Sequence, residues 1–269
     1  MKTSIVDSFT DVPFKGNPAG VCQVGTELSD QTMLLIAQEL GLSETAFIRS
    51  IGAAEYSIRY FSPKREIPLC GHATLAAAKV VLSDSVLTEI YFVTQQGLSL
   101  RVSKQDNLLS MEFPAYQTQP ADAPPPLVAA LGLDHFRASV FNRETNILML
   151  EIESTEILAK LQPDFGALYA SHQGINGVLV TAASITGPYD FHSRYFWPWS
   201  GTNEDPVTGG THTFLAPYWA KKLGKSKLNS FQASARTGFM TVELLSDTRL
   251  SITGQAVIVL SGQLHCAVV

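Results

Sequence analysis

The pentapeptide Arg59-Tyr60-Phe61-Ser62-Pro63 returns as Arg194-Tyr195-Phe196-Trp197-Pro198, 135 positions later. An offset near half of the 269 residues marks an internal duplication, and this restricts the chain to folds that can be built twice. At the same offset Cys70 falls on Asp205. Each half reads as helix, strand, Arg-Tyr-Phe strand, glycine-bearing loop and helix. The helix expected over 73–82 is answered by one over about 211–223, and Gln96-Gly97-Leu98-Ser99-Leu100 resembles Thr237-Gly238-Phe239-Met240-Thr241. In the first of these helices only Lys79 interrupts Ala73, Leu75, Ala76, Ala77, Ala78, Val80, Val81 and Leu82. A helix apolar nearly all round must be buried. A strongly curved sheet wrapped round it achieves that, and two such units side by side leave a cleft.

Local signals fill in the first half. Apolar residues at 5–9 and 21–24 flank the turn residues Lys15-Gly16-Asn17-Pro18-Ala19-Gly20, which predicts a hairpin with a long loop. Over Asp30–Leu40 the apolar positions Met33, Leu34, Ile36, Ala37 and Leu40 recur at helical spacing, with Ser29 to cap and Gly41 to stop. Strands are expected at 46–48, 56–61, 90–94, 99–102 and 108–113. Five prolines lie within 114–126 with hardly a large apolar residue, a linker composition. The expected domains are therefore 1–117, completed by a C-terminal strand at about 257–269, and 127–256, joined by 118–126.

Composition excludes several classes of function. A net charge of -5 and a pI near 5.7 supply no excess of cations for a phosphate backbone or an anionic membrane surface. An acid, Asp7, breaks the first apolar run, and no stretch of about 18 apolar residues occurs. A cytoplasmic protein is expected. Its three cysteines, Cys22, Cys70 and Cys266, are odd in number and widely spaced, which predicts reduced thiols.

Chemistry concentrates in two loops, Leu69-Cys70-Gly71-His72-Ala73-Thr74 and the run from Asn203 through Glu204, Asp205, Pro206, Val207, Thr208, Gly209 and Gly210 to Thr211, each opening a central helix. Helix starts offer unpaired N–H groups and partial positive charge, and glycine lets a ligand approach the backbone. Facing helix starts suit a carboxylate. No dinucleotide or P-loop glycine pattern is present. Glu44, between Gly41 and an apolar strand, is placed as a general acid or base, or else is an ordinary surface acid. His72 either relays a proton or caps its helix. Asp205 could cap the second helix, and Glu204 could equally be the acid of that pair. Cys70, His72, Asp205 and His212 are all metal-ligand types, but Cys-x-His is not a zinc spacing, so no metal site is expected. A nucleophilic Cys70 would need a base, and His72, two residues away, need not converge with it.

Phe14-Lys15-Gly16-Asn17-Pro18-Ala19-Gly20, Leu42-Ser43-Glu44-Thr45-Ala46-Phe47, Cys70-Gly71-His72-Ala73-Thr74, Glu204-Asp205-Pro206-Val207-Thr208-Gly209 and Gln232-Ala233-Ser234-Ala235-Arg236 together resemble the PhzF family of phenazine-biosynthesis-like isomerases, relatives of diaminopimelate epimerase. The resemblance runs nearly end to end. It implies an α+β fold of two pseudo-symmetric halves, each a barrel-like, mostly antiparallel sheet round a central helix, and a homodimer without cofactor. It implies Glu44 as the proton carrier assisted by His72 and Asp205, with Asn17, Ser43, Gly71, Gly209, Gly210 and Thr211 on a small carboxylate-bearing substrate. By the same resemblance Cys70 and Asp205 stand where the epimerase has its two cysteines. Gly210 occupies a position where the family pattern has serine or alanine. The activity implied is a proton-shift isomerisation. Epimerisation, dehydration of a small amino or hydroxy acid, and a non-catalytic binding role on the same scaffold are the alternatives. The two glycine-bearing helix starts are expected to face each other with Glu44 beside them.

Overall fold

The computed structural model describes residues 1–265, so Cys266 lies outside the described residues. The chain forms two units, Met1–Glu112 with Ile252–Val269, and Phe113–Ser251. Unit 1 takes in β1 (Lys2–Ser8), β2 (Asn17–Gln23), α1 (Asp30–Leu40), β3 (Glu44–Ser50), β4 (Glu55–Phe61), β5 (Glu66–Ile67), α2 (Gly71–Ser83), β6 (Glu89–Thr94), β7 (Ser99–Gln105) and most of β8 (Leu108–Pro114). Unit 2 takes in β9 (Gln119–Pro120), α3 (Pro125–Ala130), β10 (Ala138–Asn142), β11 (Ile147–Glu151), α4 (Thr155–Lys160), α5 (Phe165–Ser171), β12 (Gly177–Ala183), β13 (Phe191–Trp197), β14 (Thr202–Asp205), α6 (His212–Leu223), β15 (Lys227–Gln232), β16 (Gly238–Ser246) and the first half of β17 (Arg249–Gly254). The strand β18 (Ala256–Gln263) then returns to unit 1 beside β1.

The pairings establish the duplication. Unit 1 runs β18, β1, β2, β3, β4, β6, β7, and its six joints are antiparallel, antiparallel, parallel, antiparallel, parallel and antiparallel. Unit 2 repeats that series through β9, β10, β11, β12, β13, β15 and β16. In both units a helical segment bridges each parallel joint, because parallel neighbours need a crossover. The fold is thus α+β, a mixed, mostly antiparallel sheet in each half.

Burial follows from this order. α2 packs against β1, β2, β3, β7 and β18, so the sheet curves round it, and Ala73, Leu75, Ala76, Ala77 and Ala78 are wholly enclosed. Alanines let strands approach the helix closely on every side. α1 has the bounds its spacing predicts: the Ser29 hydroxyl accepts from Thr32 N, and Gly41 closes it in the left-handed conformation at φ 64°. α6 carries Pro217 in its interior, which removes the bond that Thr213 O would accept. The Tyr116 N–H donates to that oxygen instead, at 2.8 Å.

Two expectations shift. Residues 118–126 are not a bare linker: Gln119 and Pro120 pair with Phe141 and Val140, and Pro125 opens α3, a position that needs no N–H. The offset also changes inside the repeat. Phe61 pairs with Glu66, whereas Phe196 pairs with Glu204, because a 3-10 turn at Pro198–Ser200 lengthens the second connection. Beyond it the halves match at 138: Glu66, Ile67, Pro68, Leu69, Cys70, Gly71 against Glu204, Asp205, Pro206, Val207, Thr208, Gly209. Cys70 therefore corresponds to Thr208, and Asp205 to Ile67.

Candidate active site

In unit 1 three element starts meet. β2 and β3 are parallel neighbours, which brings Asn17 and Glu44, their first residues, to the same edge, and α2 starts there with Cys70 as its N-cap. The Glu44 carboxylate lies 3.3 Å from His72 Nε2, with side chains only 13% and 10% exposed. The Asn17 amide donates to His72 Nδ1 at 3.4 Å, which leaves Nε2 as the nitrogen that carries the proton toward Glu44. Cys70 Sγ sits 3.4 Å from Nδ1 and 3.9 Å from Nε2. Burial holds His72 below its ordinary pKa, and the nearby Glu44 charge opposes that shift only in part.

The surrounding bonds fix this arrangement. Ser8 Oγ donates to His72 O at 2.8 Å, Thr74 Oγ1 donates to Cys70 O at 2.7 Å, and the buried Tyr60 hydroxyl meets Thr74 Oγ1 at 2.5 Å. The Cys70 side chain caps no amide, so the first-turn N–H groups keep their donors. Ser43 Oγ is buried with no hydrogen-bond partner among the described residues. Of the residues expected from sequence, Asn17, Ser43, Glu44, Gly71 and His72 fall together here. What spacing did not reveal is the convergence of Cys70 and His72 with each other and with Glu44.

In unit 2 the second loop is tightly braced. Thr208 Oγ1 donates to the Asp205 carboxylate. Gln232 Nε2 donates to Asp205 O at 2.8 Å, and its Oε1 accepts from Thr208 N at 2.8 Å. Gln232 belongs to a motif the sequence singled out, and this brace is its work. Glu204 is ruled out as the free acid of its pair: it holds Arg194 through two bonds of 2.7 and 2.8 Å, on the face of β14 opposite Asp205. Thr211 Oγ1 donates to Thr208 O at 2.9 Å, so its hydroxyl hydrogen is committed to the loop. At Gly210 a Cβ would meet nothing within 4 Å, so the backbone does not require glycine there.

His212, a candidate ligand by type, faces the core. Its Nδ1–H donates to Thr208 O at 3.0 Å, and Nε2 meets Ser230 Oγ at 2.9 Å. Burial pushes its pKa from 6.5 down to about 4. Unfolded, the ring binds its proton near 6.5, so between 6.5 and 4 the unfolded chain holds the extra proton and stability falls with pH. The contribution is complete above about 6.5 and lost by about 4, roughly 3 kcal/mol at about 1.4 per unit. His72 acts in the same direction. Urea midpoints at pH 7 and 4.5 test this: His212→Gln should flatten the slope, and an unchanged slope would remove His212 as its source.

The phenazine biosynthesis-like family, PhzC-PhzF, matches residues 6–262 of this chain. The chain belongs to that family. A Pseudomonas aeruginosa relative named an uncharacterized isomerase is 42% identical over 97% of each chain. The structure of a PhzF-family phenazine biosynthesis protein from Enterococcus faecalis superposes with a TM-score of 0.90 at 37% identity, covering 98% of this chain and 99% of that one. A predicted epimerase from Pseudomonas aeruginosa, 18% identical over 99% of both chains with a TM-score of 0.69, shares the fold. Family membership accordingly supports an isomerase-type enzyme. Among its described residues no helix is long and apolar enough to cross a membrane.

Proposed function

We propose that this PhzF-family chain is a cofactor-independent isomerase that moves a proton on a small carboxylate-bearing metabolite, with Glu44 as acid and base. The observation that carries the reading is the nearly buried Glu44 carboxylate, 3.3 Å from His72 Nε2 at the start of α2. Glu44 takes a proton from a carbon beside the substrate carboxylate. Charge then spreads onto that carboxylate, where the first-turn amides at Gly71 and His72 donate to it. The Ser43 hydroxyl, buried and lacking a partner among the described residues, supplies a further contact. Glu44 then delivers a proton to a second carbon. The family resemblance extends the reading to Asp205, Gly209, Gly210 and Thr211 on the substrate, and to a cytoplasmic homodimer.

Cyclic and amino-acid carboxylates incubated with the enzyme in deuterated water test the reaction class by mass spectrometry and NMR. Isomerisation puts deuterium or a returned proton at a new carbon. Label confined to the original carbon with inverted configuration would replace isomerisation by epimerisation, and loss of water would replace it by dehydration.

A further inference from the structure

Tyr60 and Tyr195 occupy the same position of the duplicated Arg-Tyr-Phe strand, yet their hydroxyls end differently. Tyr60 Oη meets Thr74 Oγ1 at 2.5 Å. At the offset of the two loops Thr74 answers to His212, whose ring is held instead by Thr208 O and Ser230 Oγ. The Tyr195 hydroxyl therefore finds no partner on α6, nor on any other described residue. Tyr195 is nevertheless only 3% exposed, and a tyrosine enclosed to that degree ordinarily sets its hydroxyl against a partner. Its oxygen is not among the sealed polar atoms, so the hydroxyl ends at an opening.

Strand register locates that opening. Thr45 pairs with Phe61 and Val178 with Phe196, so Gly177, the first residue of β12, answers to Glu44, the first residue of β3. A Cβ at Gly177 would stand 2.6 Å from the Tyr195 ring and 2.7 Å from its oxygen, so glycine is required there and the phenol takes the room of a side chain. The hydroxyl thus reaches the strand start of unit 2 that corresponds to the acid-bearing start in unit 1. Tyr195 is also the register partner of Asp205 on β14. Burial, and after it the Asp205 charge, hold the phenol well above its usual pKa, so it stays a donor. The same charge disfavours an anionic oxygen at that point. A neutral oxygen is the acceptor that fits.

We infer that Tyr195 is a substrate-binding residue whose hydroxyl donates to a neutral oxygen, hydroxyl or carbonyl, of the carboxylate-bearing metabolite. The inference rests on the reading that brings this metabolite to Asp205, and it narrows the substrate class to carboxylates with a second, uncharged oxygen. Isothermal titration calorimetry of the full chain with cyclohexanecarboxylate and its 2-, 3- and 4-hydroxy and -oxo derivatives tests it. The unsubstituted protein should bind one oxygenated derivative about 10-fold or more tighter than the parent acid, the factor expected of one net hydrogen bond. Tyr195→Phe should lose that preference and bind the parent acid as before. In urea Tyr195→Phe should keep its midpoint or raise it, because no bond within the chain is broken, whereas Tyr60→Phe should lower it by losing Thr74. A preference retained in Tyr195→Phe, or no preference in the unsubstituted protein, would overturn the assignment. So would a lowered midpoint for Tyr195→Phe, which would show the hydroxyl already paired within the fold. Calorimetry reads binding without turnover, so these results are separate from the loss of turnover in Glu44→Gln that tests the proton shift.

Discussion

Glu44→Gln should lower turnover of an identified substrate, and the matching solvent-deuterium exchange, by about 100-fold or more, the usual cost of losing a general base. Glutamine preserves the volume of the side chain and still accepts a hydrogen bond from His72 Nε2, so the neighbours need not move. What it lacks is the basic oxygen. KM should change little, because the amides at the start of α2 and the Ser43 hydroxyl remain. Turnover within a few-fold of the unsubstituted enzyme would remove Glu44 from the mechanism. His72→Gln is informative beside it, since the amide still donates to Glu44 but cannot exchange a proton. A fall in turnover there with unchanged KM would show that the imidazole takes part in the proton movement rather than only orienting the carboxylate.

Arg194→Ala should cost about 3–5 kcal/mol of stability, the range for removing one partner of a buried ion pair. The side chain is only 10% exposed and does several jobs. It binds both oxygens of Glu204, donates to Leu161 O at 2.6 Å and Leu158 O at 3.3 Å, and lies 4.9 Å above the Phe196 ring. Truncation leaves the Glu204 carboxylate and the Leu161 carbonyl beneath the surface without their Arg194 donor, while Leu158 O keeps the Leu161 N–H. The repeat supplies an internal comparison. Arg59 likewise grips Glu66 with two bonds and covers Phe61 at 5.2 Å, but its further bond goes to Asp30, which is 76% exposed. Arg59→Ala should therefore cost less. Urea unfolding of both variants decides the matter, and an Arg194→Ala change below about 1 kcal/mol would refute the argument. Replacing the pair together, by Arg194→Met with Glu204→Leu, should recover most of the loss.

How far the sequence could be read depended on the range of the forces involved. Ser29, Gly41 and the apolar spacing between them act within one helix, and they placed α1 at its observed bounds. The enclosed α2 and the duplicated order of strands were also legible, because a helix without a polar face and a repeated strand motif each demand a partner. Motif resemblance located Glu44, His72 and Asn17 in one neighbourhood. Other features depend on how strands fall into register. The lengthened turn after Trp197 shifts the second loop by three positions, so the offset read from Arg-Tyr-Phe paired Cys70 with the wrong residue. The juxtaposition of Cys70 with Glu44 comes from a strand and a helix distant in sequence, which no local spacing records. Gln232 was visible as part of a motif, but its brace across Asp205 and Thr208 needs the fold to appear. The prolines at 114–126 misled in a different way, since composition reports what a segment avoids and says nothing of the strand or helix start that still tolerates proline.

The position of β18 gives the two similar units unequal histories during synthesis. Unit 2 is continuous in the chain, and its border strand β9 precedes the strand it accompanies by fewer than thirty residues. Unit 1 instead needs β18, translated after all of unit 2, to pair along β1 from Lys2 to Ser8. On the ribosome the half that emerges first must wait with β1 lacking one neighbour, while the half that emerges second can close by itself. For those seconds the exposed backbone of β1 is an edge open to other chains, and the nascent protein is most vulnerable to mispairing along that strand.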